Sequence, residues 1–364
     1  MSLPTTGIGP YDEYCSQVLN GRIEVCKWVK LAVDRHYMDM ERQRTDEFPY
    51  YFEPRACMHY VDFFQNHLYH FDGIFAGKNI LFEPWQYFTF ATPFAWIATE
   101  KVQGYPVRRF NETIVIIPKK QGKSIIIAGT MIYMIYRDDY PGAQVYALAL
   151  NASHVKRLAY RDAVNLVQGN EELKDVLRIN KSAADMGIYY DKMNAHIQPI
   201  TTDSKKTDGP KVHMAANDEI KDWTDFEVYD TIKNGTASDV SPLIANITTA
   251  GSDMSSLGYD REDYAKKVLT GEANDPRTHA IIYTIDKEDH ENWDDLSVVK
   301  KANPNFGVSV QASYYEQKIE EARQNERKKN DFMTKHLNVW INAMDHYFTM
   351  EKWIEIGRME WDEV

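Results

Sequence analysis

The chain has 364 residues, 43% of them apolar, and sets 42 basic against 54 acidic side chains for a formal charge of −12. That length exceeds one average domain and allows a large core, and the acidic balance excludes a simple non-specific nucleic-acid coat while leaving contact through a few basic loops or a ring pore. Three cysteines (Cys15, Cys26 and Cys57), none in C-x-x-C spacing, exclude a zinc ribbon and a disulfide framework and point to a reducing compartment.

Tyr11 to Arg44 reads as helical, with Tyr14, Val18, Val25, Val29 and Val33 in an approximate apolar stripe and a break at Gly21. The N-terminus lacks the basic-then-apolar pattern of a signal peptide, so a soluble, cytoplasmic chain is expected. Phe52 to Phe71 is a second helical stretch, rich in aromatics. His67 and His70 lie i, i+3 within it. No acidic or cysteine partner stands at ligand spacing, so they read as packing and polar-face residues rather than a metal site. Leu81 to Gln86 (L-F-E-P-W-Q) precedes an aromatic run from Tyr87 to Trp96. Trp85 and Gln86 either serve a purine base, the ring stacking and the amide reading its edge, or belong to an aromatic core.

Thr113–Ile117 is rich in β-branched residues and reads as a buried strand. Pro118 ends it, because proline cannot donate to a sheet ladder. Gly122-Lys123-Ser124 follows, and then Ile125–Tyr136, a helix apolar on all sides that implies central burial and is too short to span a bilayer. Strand, glycine-and-lysine loop and helix is the order a phosphate-binding loop requires. Its successive amides and the helix N-terminus would face one anion. Lys123 would reach the β/γ-phosphates and the Ser124 hydroxyl would hold Mg²⁺. The full pattern asks for glycine where Ile117 stands, and the alternative is a basic surface turn.

Arg137–Gly142 is a stop-and-turn signal and Ala143–Ala149 a strand. Asn151 or Ser153 caps a helix running to Gly169, completing the β–loop–α–β–α alternation of a parallel α/β sheet. Gly187–Ile200 reads as a strand pair about a polar turn, and Thr201–Pro210 as a polar loop carrying Lys205 and Lys206. Val212–Glu219 is a candidate strand, weak for its His213 and small alanines, that ends in Asp218 and Glu219. There one carboxylate would face Mg²⁺ and the other polarise the attacking water, unless the pair is solvated surface. Leu243–Thr249 is a further strand whose end, Thr248 to Ser252, either senses the nucleotide state or simply turns. From about Arg277 the composition shifts to acidic loops and charged helices (Ser313–Arg327, Asp331–Trp340) with one strand, Ala280–Ile285, suggesting a lid or linker. Arg327-Lys328-Lys329 is its densest basic cluster, either a DNA-phosphate contact or a solvated helix face.

Taken together and in order, these segments resemble the large terminase subunit of tailed bacteriophages, close to its HK97-like branch. The resemblance covers nearly the whole chain. It is carried by V-L-N-G-R-I-E-V-C-K-W-V-K-L-A-V-D-R-H within Tyr14–Glu41, L-F-E-P-W-Q (Leu81–Gln86), R-R-F (Arg108–Phe110) and P-K-K-Q-G-K-S (Pro118–Ser124). Later come D-G-P (Asp208–Pro210), D-E (Asp218–Glu219), I-T-T-A-G (Ile247–Gly251), K-K-A-N-P-N-F-G-V-S-V (Lys300–Val310) and K-H-L-N-V-W (Lys335–Trp340). That family's loop usually reads Pro-Arg-Lys-Asn-Gly-Lys-Ser, without a leading glycine. Lys119 stands where it commonly has arginine, whose two-pronged fork lysine cannot reproduce, and Gln121 where it has asparagine.

The resemblance implies an α/β fold, a P-loop NTPase of the ASCE type. This is a three-layer αβα sandwich with a mostly parallel central sheet, a helical N-terminal segment and an α+β lid/linker subdomain. The ATPase domain would occupy residues 1–275, its helical extension 1–50 and the lid/linker 276–364. ATP would lie on Lys119, Lys120, Gln121, Gly122, Lys123 and Ser124 with Trp85 and Gln86 at adenine. Ser124 and Asp218 would hold Mg²⁺, Lys123 and Glu219 would be catalytic, and Thr248, Thr249, Ala250 and Gly251 would couple hydrolysis to DNA movement. A neighbouring subunit should donate an arginine, for which Arg157 and Arg161 are candidates. The partners implied are double-stranded DNA, a portal protein, a small terminase subunit and further copies in a ring, in the cytoplasm of an infected bacterial host and with no membrane. The family's nuclease domain would begin shortly after Lys335–Trp340, so an ending at Val364 leaves an expected motor portion without it. Another DNA translocase or helicase-like ATPase, a small-molecule kinase and a degenerate packaging scaffold are the competing readings.

Overall fold

The computed structural model describes residues 4–149, 159–182, 185–201 and 210–341. Helices α1 (Gly9–Leu19) and α2 (Lys27–Arg42) bury Tyr11, Tyr14, Val18, Val29 and Val33, with the expected break between them at Gly21. Strand β1 (Tyr50–Phe52) precedes α3 (Pro54–His67), which opens on a proline and a Glu53 carboxylate that accepts from the Arg55 amide. The second helical stretch is therefore shorter at both ends than Phe52–Phe71. Three successive turns, Pro84–Gln86, a π turn at Tyr87–Ala91 and Thr92–Ala95, lead into β2 (Trp96–Ala98), antiparallel to β1.

The remaining elements form an α/β unit. In order they are β3 (Glu112–Ile116), α4 (Lys123–Tyr136), β4 (Gln144–Ala149), α5 (Ala159–Gln168), α6 (Glu171–Val176), β5 (Arg178–Asn180), β6 (Gly187–Tyr190), β7 (Ala195–Thr201) and β8 (Met214–Asp218). Then come α7 (Glu227–Gly235), β9 (Leu243–Thr248), α8 (Leu257–Thr270) and β10 (Thr278–Ile282). The sheet runs β10-β3-β9-β8-β4-β7-β6-β5. The first six strands are mutually parallel, and β6 pairs antiparallel with β7 and β5. This is the mostly parallel sheet expected, and the strand expected at Leu243–Thr249 is β9, inserted between the loop strand β3 and the carboxylate strand β8.

Both faces of the sheet are covered, which is why its central strands do not alternate polar and apolar. Val145, Ala147, Met214, Ala216 and Ala245 enter the large core that includes α3, α4 and α5. Their neighbours Tyr146, Leu148, Ala215 and Ile244 enter a second core with α7 on the opposite face. The small residues that make β8 an unpromising strand are those a doubly covered strand tolerates. Helix α4 lies so close to α3 that a Cβ on Gly129 would stand 2.4 Å from the Phe64 ring.

Two expectations are corrected at the C-terminal side. The strand expected inside a lid beginning at residue 276 is β10, an edge of the main sheet, paired Thr278↔Glu112 to Ile282↔Ile116. Its five residues are all buried, so it belongs with the sheet rather than with the charged helices that follow. Those helices are α9 (Leu296–Ala302), α10 (Ala312–Arg323) and α11 (Glu326–His336), around their own core of Val299, Tyr315, Ile319, Phe332 and Leu337. Helix α11 starts earlier than expected because the Asn325 side chain caps the Lys328 amide. It stops before Trp340 because Asn338 takes a left-handed φ of 59°. Asn151, Ser153, Lys205 and Lys206 lie outside the described residues. Among the described residues no helix is long and apolar enough to cross a membrane.

Strand β8 is anchored at its start by a buried ionic cluster. The fully buried His213 ring lies 2.8 Å from Asp138 and 3.1 Å from Asp239, and stacks on Tyr140 at 4.3 Å. Arg108 holds Asp138 from the other side at 2.8 Å. Burial by itself would lower the imidazole pKa, but the bonds to Asp138 and Asp239 outweigh it and raise it above the ordinary value. A raised histidine contributes stability that is complete below its unfolded pKa of about 6.5 and is lost as pH climbs through the folded value. His213→Gln should therefore cost about 3 kcal/mol at pH 6 and shrink the stability difference between pH 6 and 8.5, by urea unfolding. Parallel losses in wild type and variant across that interval would contradict a charged His213.

Candidate active site

Three strand ends at the carboxyl edge of the sheet build the site, where open α/β sheets bind ligands. The loop after β3 turns by taking left-handed backbone at Lys120 (φ 71°) and Gly122 (φ 78°). Gly122 is the position that needs a glycine, since it is also the N-cap of α4. No side chain caps that helix, and the amides of Gln121, Gly122, Lys123 and Ser124 have no backbone acceptor among the described residues. Free donors and the positive end of a helix dipole therefore meet at the loop, as anion binding requires.

Lys123 joins the three strand ends. Its ammonium lies 2.8 Å from Glu219 Oε1, just beyond β8, and donates to Thr249 Oγ1, just beyond β9, at 2.7 Å. Thr249 in turn donates to the Ile117 carbonyl at the end of β3, 2.9 Å away. The second oxygen of Glu219 is held by Lys221 at 2.5 Å, and the Lys221 amide donates to Thr248 Oγ1 at 3.2 Å. Glu219 itself sits in left-handed backbone (φ 55°), turning its side chain away from the strand path. Ser124 lies half-buried in the first turn of α4.

Asp218 and Glu219 are adjacent but differently tuned. Asp218 is 1% exposed, and neither carboxylate oxygen has a hydrogen-bond partner among the described residues. Burial pushes its pKa up, against the opposing pull of Lys123. Burial acts in the same sense on Glu219, but Lys123 and Lys221 outweigh it and hold that carboxyl below its usual range. A buried carboxylate with no partner is costly unless something cationic serves it. With the Ser124 hydroxyl, Asp218 supplies the hard oxygen ligands that suit Mg²⁺, so the residues present fit that ion.

Most of the other expected site residues are tied to further parts of the chain. Gln121, counted toward ATP, is fully buried, and its amide is taken by Asn303 and Asn305 of the helical unit. Trp85, expected to stack on a base, is buried, with Nε1 donating to Asn305 at 2.8 Å and its ring against Phe90 and Tyr283. Gln86 spends its Oε1 on the Glu83 amide, leaving Nε2 toward Gly122. Lys119 is half-buried, which lowers its ammonium pKa, and its amide bonds the Lys335 carbonyl. Lys120 is exposed, its carbonyl accepting from Ser309. Of the coupling residues, the Ala250 amide donates to Asn338, and a Cβ on Gly251 would approach Trp340 to 3.1 Å. Arg161 is solvent-facing and paired with Asp162, while Arg157, Asp208 and Gly209 lie outside the described residues. His67 bonds Glu172. In the basic cluster Arg327 and Lys328 are exposed, and Lys329 lies over the Trp293 ring. Sequence reasoning missed Lys221 altogether, and gave Asn303, Asn305 and Asn338 no role although it noted the segments that contain them.

A loop strand, an inserted strand and a carboxylate strand, with the loop opening a buried helix, define the P-loop class of α/β proteins with an additional sheet strand. A family model described as "Terminase large subunit, ATPase domain" matches residues 84–267, half of the chain, and the chain belongs to that family. Protein YmfN of Escherichia coli (strain K12) is 36% identical over 149 residues, 41% of this chain and 32% of that protein. The crystal structure of the HK97 bacteriophage large terminase superposes with a TM-score of 0.65 at 18% identity, covering 78% of this chain and 55% of that one. The large terminase of a thermophilic bacteriophage is a looser likeness, with a TM-score of 0.43 at 11% identity over 64% of this chain and 48% of that one. The chain thus spans about half of the HK97 protein and a third of YmfN.

Because Asp218 is buried with no hydrogen-bond partner among the described residues, removal of its charge should stabilise the fold. Its pKa is raised on folding, so that cost appears as pH rises above about 3.9 and is complete above the folded value. Asp218→Asn is expected to gain about 1 to 3 kcal/mol at pH 8 in metal-free buffer, by urea unfolding. A destabilised variant would show that Asp218 is already well served.

Proposed function

We propose that this chain is the ATP-hydrolysing portion of a DNA-packaging motor, driving double-stranded DNA into a prohead. Family membership supports the ATPase reading. The observation that carries it is one ammonium, Lys123, bridging Glu219 and Thr249 beside Asp218, whose carboxylate has no hydrogen-bond partner among the described residues. In this reading Lys123 and the amides of Gly122, Lys123 and Ser124 bind the β/γ-phosphates of ATP. Ser124 and Asp218 would hold Mg²⁺, which when bound neutralises charge on the phosphate oxygens.

The protein's own task is to place water and take its proton. Glu219 is the base, aligning a water against the γ-phosphorus and accepting its proton as the P–O bond to the leaving diphosphate breaks. Paired with two ammonium groups it is a weak base. As Lys123 turns from Glu219 to the phosphates, one of those charges leaves and the carboxylate gains basicity. Thr249 shares the same ammonium, so the exchange of partners reaches β9 directly. That contact supports Thr248–Gly251 as the segment relaying hydrolysis to movement. Arg161, exposed on α5, is available to a neighbouring subunit's γ-phosphate in a ring. A portal protein, a small terminase subunit and further copies of the chain complete the proposed assembly, in the cytoplasm of an infected bacterium. None of the described residues is assigned to DNA cleavage.

Titration with Mg²⁺ and ATP should show wild-type binding, weakened about 100-fold in Lys123→Ala, the magnitude of a lost charge-assisted contact. Equal affinities would remove the loop from nucleotide binding. Glu219→Gln should keep that affinity while turnover falls about 100- to 1,000-fold in a phosphate-release assay. Undiminished turnover would take Glu219 out of the reaction.

A further inference from the structure

The helical unit formed by α9, α10 and α11 touches the active site at two separated points, each through buried asparagines. At the loop, Gln121 Nε2 donates to Asn303 Oδ1 at 2.9 Å and Gln121 Oε1 accepts the Asn305 amide at 2.9 Å. Asn303 is completely satisfied. Its oxygen also accepts from Tyr315, and its nitrogen donates to the carbonyls of Val299 and His336. Asn305 Oδ1 accepts from Trp85. Pro304 lies between the two asparagines and disfavours helical backbone at the residue before it, and Asn303 leaves the helix with φ −118° and ψ 82°. Two further bonds close the seam, Ser309 to the Lys120 carbonyl and the Lys119 amide to the Lys335 carbonyl, both at 2.9 Å.

At the second point Asn338, in left-handed backbone, accepts the Ala250 amide at 2.7 Å and donates to the Tyr283 carbonyl at 2.7 Å. Trp340 follows, lying over Gly251 and donating to Glu262. The unit has a core of its own, and His336 packs on Tyr314, Tyr315 and Phe332 between the two points. One packed body therefore grips both the phosphate loop and the turn after β9. Buried, hydrogen-bonded amides resist displacement, so a shift at one grip would reach the other through this body.

We propose that Gln121, Asn303, Asn305 and Asn338 are positioning residues: two amide latches through which the helical unit makes the loop and the Ala250 turn a single mechanical element. This deepens the reading of the chain as an ATPase and rests on it for its functional meaning. The grip itself is a property of the fold and is measurable without nucleotide. Gln121 is thereby reassigned from phosphate contact to loop positioning.

Amide hydrogen exchange on the full chain, without nucleotide, tests the coupling in both directions. Gln121→Ala should speed exchange at the Ala250 amide about tenfold, and Asn338→Ala should do the same at the Lys119 amide, while the amides of β8 and β9 keep their protection. Gln121→Met, nearly isosteric and uncharged, loses both bonds without opening a large cavity and should give a change in the same direction. It serves where the alanine variant unfolds. Effects confined to the mutated end would overturn the proposal. In ATPase assays Gln121→Ala should raise KM about tenfold with a smaller change in kcat, and an unchanged KM would also overturn it. A wild-type chain that hydrolyses no ATP would remove the ATPase reading, and the exchange results would then decide the latches alone.

Discussion

The structure depends on the reach of one side chain. Inserting β9 between β3 and β8 sets the loop and the carboxylates two strand spacings apart, about 9.5 Å. A buried lysine at the head of α4 crosses that interval, meeting Thr249 at the intermediate strand and Glu219 at the far one. A shorter cation would leave the three strand ends unconnected. Placing it there requires the helix to start at Gly122, which requires the left-handed turn after Pro118, which requires β3 to end where it does. The apolar character of α4 follows from the same geometry, since a helix aimed at the centre of the sheet edge is covered on nearly every side.

Two consecutive carboxylates are driven in opposite directions by what surrounds them. Asp218 completes the strand and has no hydrogen-bond partner among the described residues, so burial outweighs the pull of Lys123. Glu219 steps into left-handed backbone and meets two ammonium groups, so their field dominates. Separate environments for adjacent acids would suit them to separate tasks, one to a cation and one to a proton. The strained backbone at Glu219 is what separates them.

Much of this was legible in the residues. The parallel α/β alternation followed from β-branched runs punctuated by Pro118, Pro141-Gly142 and Gly251, and the loop from its place between strand and helix. What periodicity could not show was membership across distance. β10 looks like part of the C-terminal helical region because it adjoins it in sequence, yet its partner is β3, more than a hundred residues earlier. Trp85, upstream of the loop, and Gln121, within it, have side chains suited to a nucleotide and so read as ligands. Their real partners, Asn305 and Asn303, are distant asparagines whose burial a sequence does not display. Lys221 was invisible for the opposite reason, being a charged residue two positions past Glu219 in what reads as solvated surface.

In the proposed motor, a nucleotide's terminal phosphate takes the place that Glu219 and Thr249 hold on the Lys123 ammonium. A crystal structure with Mg²⁺ and a non-hydrolysable ATP analogue tests it most directly. The γ-phosphate is expected within hydrogen-bonding distance of Lys123 Nζ, the metal on Ser124 with Asp218 beside it, and Glu219 parted from Lys123. An analogue bound away from the loop, or Lys123 still paired with Glu219 while the analogue is in place, would contradict it.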